Sequence, residues 1–292
     1  MNITKTTTLP DAPVRPAEAH KGTFGTVIVL GGCETMIGAP ALCASAALRS
    51  GVGLVKVAVP APILQAVIAI EPGATGIALS EDVDSAVALL ADADPDHSAV
   101  LAVGPGWGTD ASRRELLDRI LGGRRRTVLD ADGLNVLAAT GRPRPQPGPP
   151  LVLTPHPSEF RRLAAPLGIL EQPTDDEARP RAAANLAAAH DAVVVLKGRH
   201  SAVADAGRYR VNRTGNPALA TAGSGDILTG MIAALCAQGM EPFDAAVLGT
   251  HLHGLAADRW AKEHGQSGLT AFDLAEELPN AFEAHRGTQR GS

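Results

Sequence analysis

Aromatic side chains are nearly missing from this chain of 292 residues, which has two Trp, one Tyr and five Phe, 3% in all. A single-strand nucleic-acid surface needs stacking rings, so that class is disfavoured, and the core must be built from Ala, Val, Leu and Ile. Cysteine is scarce too. Cys33, Cys43 and Cys236 are odd in number and lack C-x-x-C spacing, which indicates neither a disulfide framework nor a zinc site and suits a reducing cytoplasm. No apolar run reaches the roughly 20 residues of a membrane span, and the N-terminus lacks the charged-then-apolar order of a secretory signal. The expectation is a cytoplasmic protein with no membrane contact. A formal charge of −5 leaves no footprint for a polyanion. The run Arg124-Arg125-Arg126 reads as a solvated turn between a helix and a strand, with a local anion patch as the alternative.

What is present is ordinary for a globular protein: 45% hydrophobic and 20% charged residues. Residues 1–20, with Thr6-Thr7-Thr8, Pro10, Pro13 and Pro16, read as a flexible N-terminal arm, and 21–292 as one domain without internal repeats. Short apolar runs predict strands at Thr26–Leu30, Leu54–Val59, Ala99–Val103, Thr127–Leu129, Leu151–Leu153 and Val193–Leu196. Helices are expected at Pro40–Ser50, Ile63–Ile70, Val83–Ala91, Ser112–Leu121, Gly133–Ala139, Ser158–Ala165 and around Glu177–His190. Such alternation implies an α/β fold with a doubly wound, mostly parallel sheet flanked by helices. Ser201–Ala204 and Arg208–Val211 then flank Asp205-Ala206-Gly207 as a hairpin. The remainder reads as helices at Ile227–Gln238, Pro242–Glu263 and Ala271–His285, the last opened by a Thr270/Asp273 cap pair. The segment Gly141–Pro150, with five prolines, reads as an exposed loop.

Ligands of open parallel sheets bind beyond the carboxyl ends of the strands, and the informative residues fall there. They are Gly31-Gly32 to Gly38-Ala39, Gly104-Pro105-Gly106-Trp107-Gly108, Asp130-Ala131-Asp132-Gly133, Thr154-Pro155-His156-Pro157-Ser158-Glu159 and Lys197-Gly198. Any one glycine loop is often just a tight connection; five strand ends so furnished read as one cleft. Ala222-Gly223-Ser224-Gly225-Asp226 leads into an Ala/Leu helix, and converging backbone N–H groups at a helix start suit an anion. Asp226 there is either a cap or a general base beside a bound phosphate. No Lys follows the glycines as in a Walker P-loop, and the 104–108 loop has the wrong spacing for a dinucleotide fingerprint. His251 and His253, two residues apart, do not share a helix face and read as structural or surface residues rather than a metal pair; Tyr209 gets no function, and Trp107 either walls the cleft or covers core.

Together these motifs resemble the ADP/ATP-dependent NAD(P)H-hydrate dehydratases, which have the ribokinase-like fold, over about Lys21 to Ala284. The resemblance implies a metabolite-repair lyase that uses ADP or ATP with Mg2+ to dehydrate the S form of NADHX or NADPHX. It places the hydrated cofactor on Ala39, Gly106, Gly108, His156 and Asp226, with Asp226 as base. The adenine nucleotide falls on Lys197, Gly198, Arg199, His200, Ser201 and Gly225, with Gly223, Ser224 and Gly225 as the anion hole and Glu159 reaching magnesium through water. A homotetramer is also implied. Ser158, Ile37 and Ser201 depart from the usual Gly, Pro and Thr; Ser158 would disturb the pose of His156 if its φ had to be positive. Many bacterial relatives carry an N-terminal epimerase domain, for which there is no room before Lys21, so epimerisation is expected elsewhere. The rival readings are a ribokinase-fold kinase of the hydroxyethylthiazole or hydroxymethylpyrimidine type, and a nucleotide-binding regulator without catalysis.

Overall fold

The computed structural model describes residues 3–143, 148–173 and 175–290. Within the expected loop Gly141–Pro150, residues 144–147 therefore lie outside the described residues. Among the described residues ten strands form one sheet: β1 (Thr4–Lys5), β2 (Thr26–Leu30), β3 (Leu54–Pro60), β4 (Thr75–Leu79), β5 (Val100–Val103), β6 (Thr127–Leu129), β7 (Leu151–Leu153), β8 (Val193–Leu196), β9 (Ala202–Ala204) and β10 (Arg208–Val211). Their order is β1-β10-β9-β8-β7-β6-β5-β2-β3-β4. Every pair from β4 across to β8 is parallel, and the β8-β9-β10 meander is antiparallel. This is the mostly parallel, helix-flanked α/β architecture expected.

Strand residues alternate between two cores, because successive side chains leave a strand on opposite faces. Val27 and Val29 enter one core, Ile28 and Leu30 the other; Val152 lies opposite Leu151 and Leu153 in the same way. The first core is covered by α1 (Gly38–Arg49), α2 (Ala61–Ile70), α8 (Ser224–Ala237), α9 (Pro242–His264) and α10 (Ala271–Arg290). The second lies under α3 (Val83–Ala93), α4 (Ala111–Leu121), α5 (Ala131–Ala139), α6 (Pro157–Ala164) and α7 (Ala178–His190). Burial on both faces is why these strands read as continuous apolar runs. Helix α8 approaches α1 closely: a Cβ on Gly230 would collide with the Cys43 carbonyl, so that position admits only hydrogen.

Three expectations are corrected. Residues 3–13 are tied to the body rather than loose. β1 pairs with β10, Arg210 donates to the carbonyls of Thr6, Thr7 and Thr8, Ala12 is buried, and Arg286 donates to the Pro13 carbonyl. The arginine run is not a solvated turn throughout. Arg125 forms an ion pair with Asp94 at 2.6 Å, both largely buried, and Arg126 donates to the carbonyls of Cys236 and Met240. Finally, β4 lies on the outer edge beside β3 where no strand was expected.

The order of strand addition reverses between β2 and β5, since β3 and β4 lie on one side and β5 to β8 on the other, all parallel. A crevice opens beyond the carboxyl ends at such a switch point. The loops leaving β2 and β5 cross there, with Gly32 N–H donating to the Pro105 carbonyl at 2.8 Å.

Candidate active site

Helix α8 begins at Ser224, three residues before the apolar periodicity, so Asp226 sits inside its first turn. Gly223 caps it in the left-handed region at φ 85°, where a Cβ would press on Leu42 Cδ1 at 2.7 Å. Ser224 spends its hydroxyl on the carbonyls of Leu219 and Thr221. The first-turn amides therefore remain free of side-chain caps, and they carry the helix's positive end.

The capping reading of Asp226 fails. Its carboxylate makes no cap bond and accepts no hydrogen bond among the described residues. Burial, with the Asp130 charge adding to it and Lys197 opposing, pushes its pKa from 3.8 to about 7. That is the range in which a carboxylate serves as a base at neutral pH.

Below this turn lies a polar triad in which Asp130 and Thr229 are buried and Lys197 reaches the surface of the cleft. Lys197, directly after β8, donates to Asp130 Oδ1 at 2.7 Å, and Thr229 of α8 donates to Asp130 Oδ2 at 2.7 Å. A Cβ on Gly225 would lie 3.3 Å from Lys197 Nζ and 3.5 Å from Asp130 Oδ2, so the pair sits directly under the helix start. Burial alone would lower the Lys197 pKa; the Asp130 carboxylate, with Glu159 and Asp226 beyond it, holds it above its ordinary value.

A cleft of about 800 Å³ opens beside the triad. Lys197, Gly198, Arg199, His200, Ser201 and Gly225, the six expected nucleotide contacts, all lie on its wall, together with Ser224 of the expected anion hole. Sequence reasoning missed much of the opposite wall: Asn212, Leu219, Thr250, His253 and Gln266. His253 is buried, its Nε2 is 2.9 Å from the Ser224 carbonyl, and burial pushes its pKa down to about 4. The neutral ring thus donates to the first turn of α8. Nothing in an Ala/Leu/His helix pattern marks that donor in advance.

The other expected residues are not on that wall. Ala39 and Gly106 face each other at the crossing loops, where a Gly106 Cβ would lie 3.2 Å from that of Ala39. Gly108 N–H donates to Asp132 Oδ2 at 2.8 Å, and Asp132 is among the charges acting on Asp226. His156 caps α6: its Nδ1 accepts from the N–H groups of Ser158 and Glu159, while Glu159 Oε2 accepts the His156 N–H at 2.8 Å. Burial, then the Lys197 charge, lowers its pKa. Glu159 is only 5% exposed and burial raises its pKa to about 7. His156, Glu159 and Asp226 thus all feel the charges of Lys197 and Asp130. Ser158 is helical, not at positive φ, so its departure leaves the His156 cap undisturbed. Trp107 is fully buried behind the 104–108 loop, and its indole N–H finds no partner among the described residues.

The profile of the NAD(P)H-hydrate dehydratases matches residues 27–280. The chain belongs to that family. It is 42% identical over 282 residues to the bifunctional NAD(P)H-hydrate repair enzyme Nnr of Moorella thermoacetica, covering 91% of this chain and 51% of the relative. It therefore spans about half the length of such bifunctional relatives. Bacillus subtilis supplies a match of each kind. Its ADP-dependent (S)-NAD(P)H-hydrate dehydratase is 33% identical over 276 residues, covering 92% of this chain and 93% of that protein. A crystal structure of its ADP/ATP-dependent dehydratase, grown with ATP and Mg2+, aligns at TM-score 0.77 over 94% of both chains with 33% identity. A ribokinase-like superfamily protein of Enterococcus faecalis, 27% identical, also aligns at 0.77, covering 94% of this chain and 92% of that one.

Proposed function

We propose that this chain dehydrates the S form of NAD(P)H-hydrate at the expense of ADP or ATP. One observation carries the reading: a partly buried, uncapped carboxylate with a pKa near 7 stands in the first turn of α8, beside amides that no side chain caps and a cleft of about 800 Å³. The nucleotide lies along Lys197–Ser201, its terminal phosphate at Ser224 and Gly225. The hydrate lies between the crossing loops, His156 and Asp226.

Asp226 takes the proton of the ring hydroxyl as its oxygen attacks the terminal phosphorus, and the bond to the departing AMP or ADP breaks. Charge on the transferring group is met by the amides of 223–226, with Lys197 beneath them. Phosphate is a far better leaving group than hydroxide, so the ring-nitrogen lone pair expels it. Loss of a proton from the neighbouring ring carbon then restores NADH or NADPH. Most of this work is positioning and electrostatics.

Magnesium fits as a companion of the nucleotide. Among the described residues no three His, Cys, Asp or Glu side chains converge on a metal position. Both Glu159 oxygens are engaged, one with the His156 N–H and the other 3.3 Å from His156 Nε2. Mg2+ keeps several waters and takes phosphate oxygens, so Glu159 would reach it through water, and its charge would offset that of the phosphates. A cytoplasmic homotetramer completes the proposal. Among the described residues no helix is long and apolar enough to cross a membrane, and light scattering of the purified chain weighs the assembly.

The deciding assay mixes the protein with hydrated NADH, Mg2+ and ADP or ATP. Return of the reduced-nicotinamide absorbance with phosphate release is the expected result. Phosphorylation of a thiazole or pyrimidine alcohol without that return would instead make the chain a kinase, and binding without turnover would make it a regulator.

A further inference from the structure

Asp130 and Thr229 are absent from the walls of the nucleotide cleft, yet both are at most 1% exposed and polar. A buried carboxylate that accepts from Lys197 and Thr229, each at 2.7 Å, costs desolvation and returns stability only through those two bonds. Replacing the group with apolar atoms is often neutral or better for stability alone, so its placement calls for another account.

The geometry supplies one. Thr229 lies one turn beyond Gly225 on the same helix, and its hydroxyl fixes the second oxygen of Asp130. Asp130 in turn fixes one of the three ammonium protons of Lys197, whose nitrogen lies within contact reach of Gly225. That leaves two ammonium protons beside the Gly225 backbone. We propose that Asp130 and Thr229 are positioning residues for the nucleotide: they hold the Lys197 ammonium under the first turn of α8, where it meets the terminal phosphate. The proposal rests on the reading of the cleft as a nucleotide site, and concerns which of its phosphates this cation serves.

Lys197 is faced by Asp130 at the end of β6, Glu159 and His156 of α6, Asp226 of α8 and His253 of α9, and Arg179 of α7 donates to its carbonyl. Burial lowers its pKa and Asp130 is the largest charge opposing that. Without Asp130 the ammonium loses both its fixed direction and its chief counter-charge.

The test is calorimetric titration of the full chain with ADP and, separately, AMP, which lacks the terminal phosphate. Asp130→Asn should weaken ADP by about 10- to 100-fold, the worth of one charge-assisted hydrogen bond, and leave AMP within about twofold. Its ADP affinity should fall more steeply with rising pH than that of the wild type, because Lys197 without the Asp130 charge gives up its proton more readily. Thr229→Val should weaken ADP several-fold and Thr229→Ser restore it; this pair decides the matter if Asp130→Asn does not fold. ADP affinity unchanged in Asp130→Asn and Thr229→Val, or AMP weakened as much as ADP, overturns the inference while leaving the dehydratase proposal standing. A wild type that binds ADP as described but never dehydrates the hydrate overturns the dehydratase proposal alone. A wild type that binds no ADP overturns both.

Discussion

The Asp226→Asn substitution keeps the side chain's volume and removes its charge, so it separates the chemistry of this position from the cost of burying an acid there. In the folded chain, burial and the Asp130 charge raise the Asp226 pKa from 3.8 to about 7. The folded carboxyl therefore holds its proton more tightly than the unfolded one. Its contribution to stability is complete below about pH 4 and is lost as pH rises through about 7. At about 1.4 kcal/mol per unit, ionised Asp226 destabilises the native state by up to about 4 kcal/mol near pH 8, and by about 2–4 once water in the open cleft is allowed for. The asparagine variant escapes that penalty. It should melt about 4–8 °C above the wild type near pH 8, with the difference shrinking towards pH 4. The same change should cut hydrate turnover by about 10²- to 10⁴-fold at unchanged nucleotide affinity, and the wild-type rate should rise with pH up to about 7. Scanning calorimetry at several pH values and the nicotinamide absorbance assay measure the two effects. A variant no more stable than wild type at pH 8, or a gap independent of pH, refutes the buried-base assignment; undiminished turnover removes Asp226 from the mechanism.

Three further outcomes follow from the packing. Gly230→Ala drives a methyl into the Cys43 carbonyl where α8 lies on α1; it should cost about 1–3 kcal/mol in denaturant unfolding and lower turnover, since Asp226 rides on the same helix face one turn earlier. His253, neutral with a pKa pushed to about 4, gives stability present above its ordinary 6.5 and lost as pH falls through about 4. The wild type should lose up to about 3 kcal/mol across that range, and His253→Gln should flatten the acid side of the curve. Of the thiols, Cys43 and Cys236 are buried with raised pKa values, Cys236 to about 12, whereas Cys33 is partly exposed. An alkylating reagent followed by mass spectrometry should mark Cys33 alone until the chain unfolds.

The buried strands were legible because each is an apolar run flanked by turn residues, and the loop after β8 does line the cleft. What stayed hidden has physical reasons. In β4 only Leu79 is buried and Gly76 interrupts the run, so the edge strand lacks the apolar signal of its neighbours. β1 is two polar residues whose pairing with Arg208 and Tyr209 depends on chain more than two hundred positions away. Helices α6 and α8 start on Pro157 and Ser224, earlier than apolar periodicity suggests. Proline suits the first helical position and glycine a left-handed cap, yet both read locally as loop. That offset decides whether Asp226 precedes its helix or stands within it. Asp130 and Thr229 were invisible as partners because a buried hydrogen bond between residues 130 and 229 leaves no spacing in the sequence.

Trp107, sealed behind the 104–108 loop, has an optical consequence. It is one of two indoles in the chain, and the other, Trp260, is stacked on His264 with ring centroids 4.6 Å apart. Indole emission overlaps the absorption of a reduced nicotinamide but not that of its hydrate. Under the proposed function, a reduced nicotinamide formed beside that loop would quench the Trp107 emission by energy transfer, and its departure would bring the emission back.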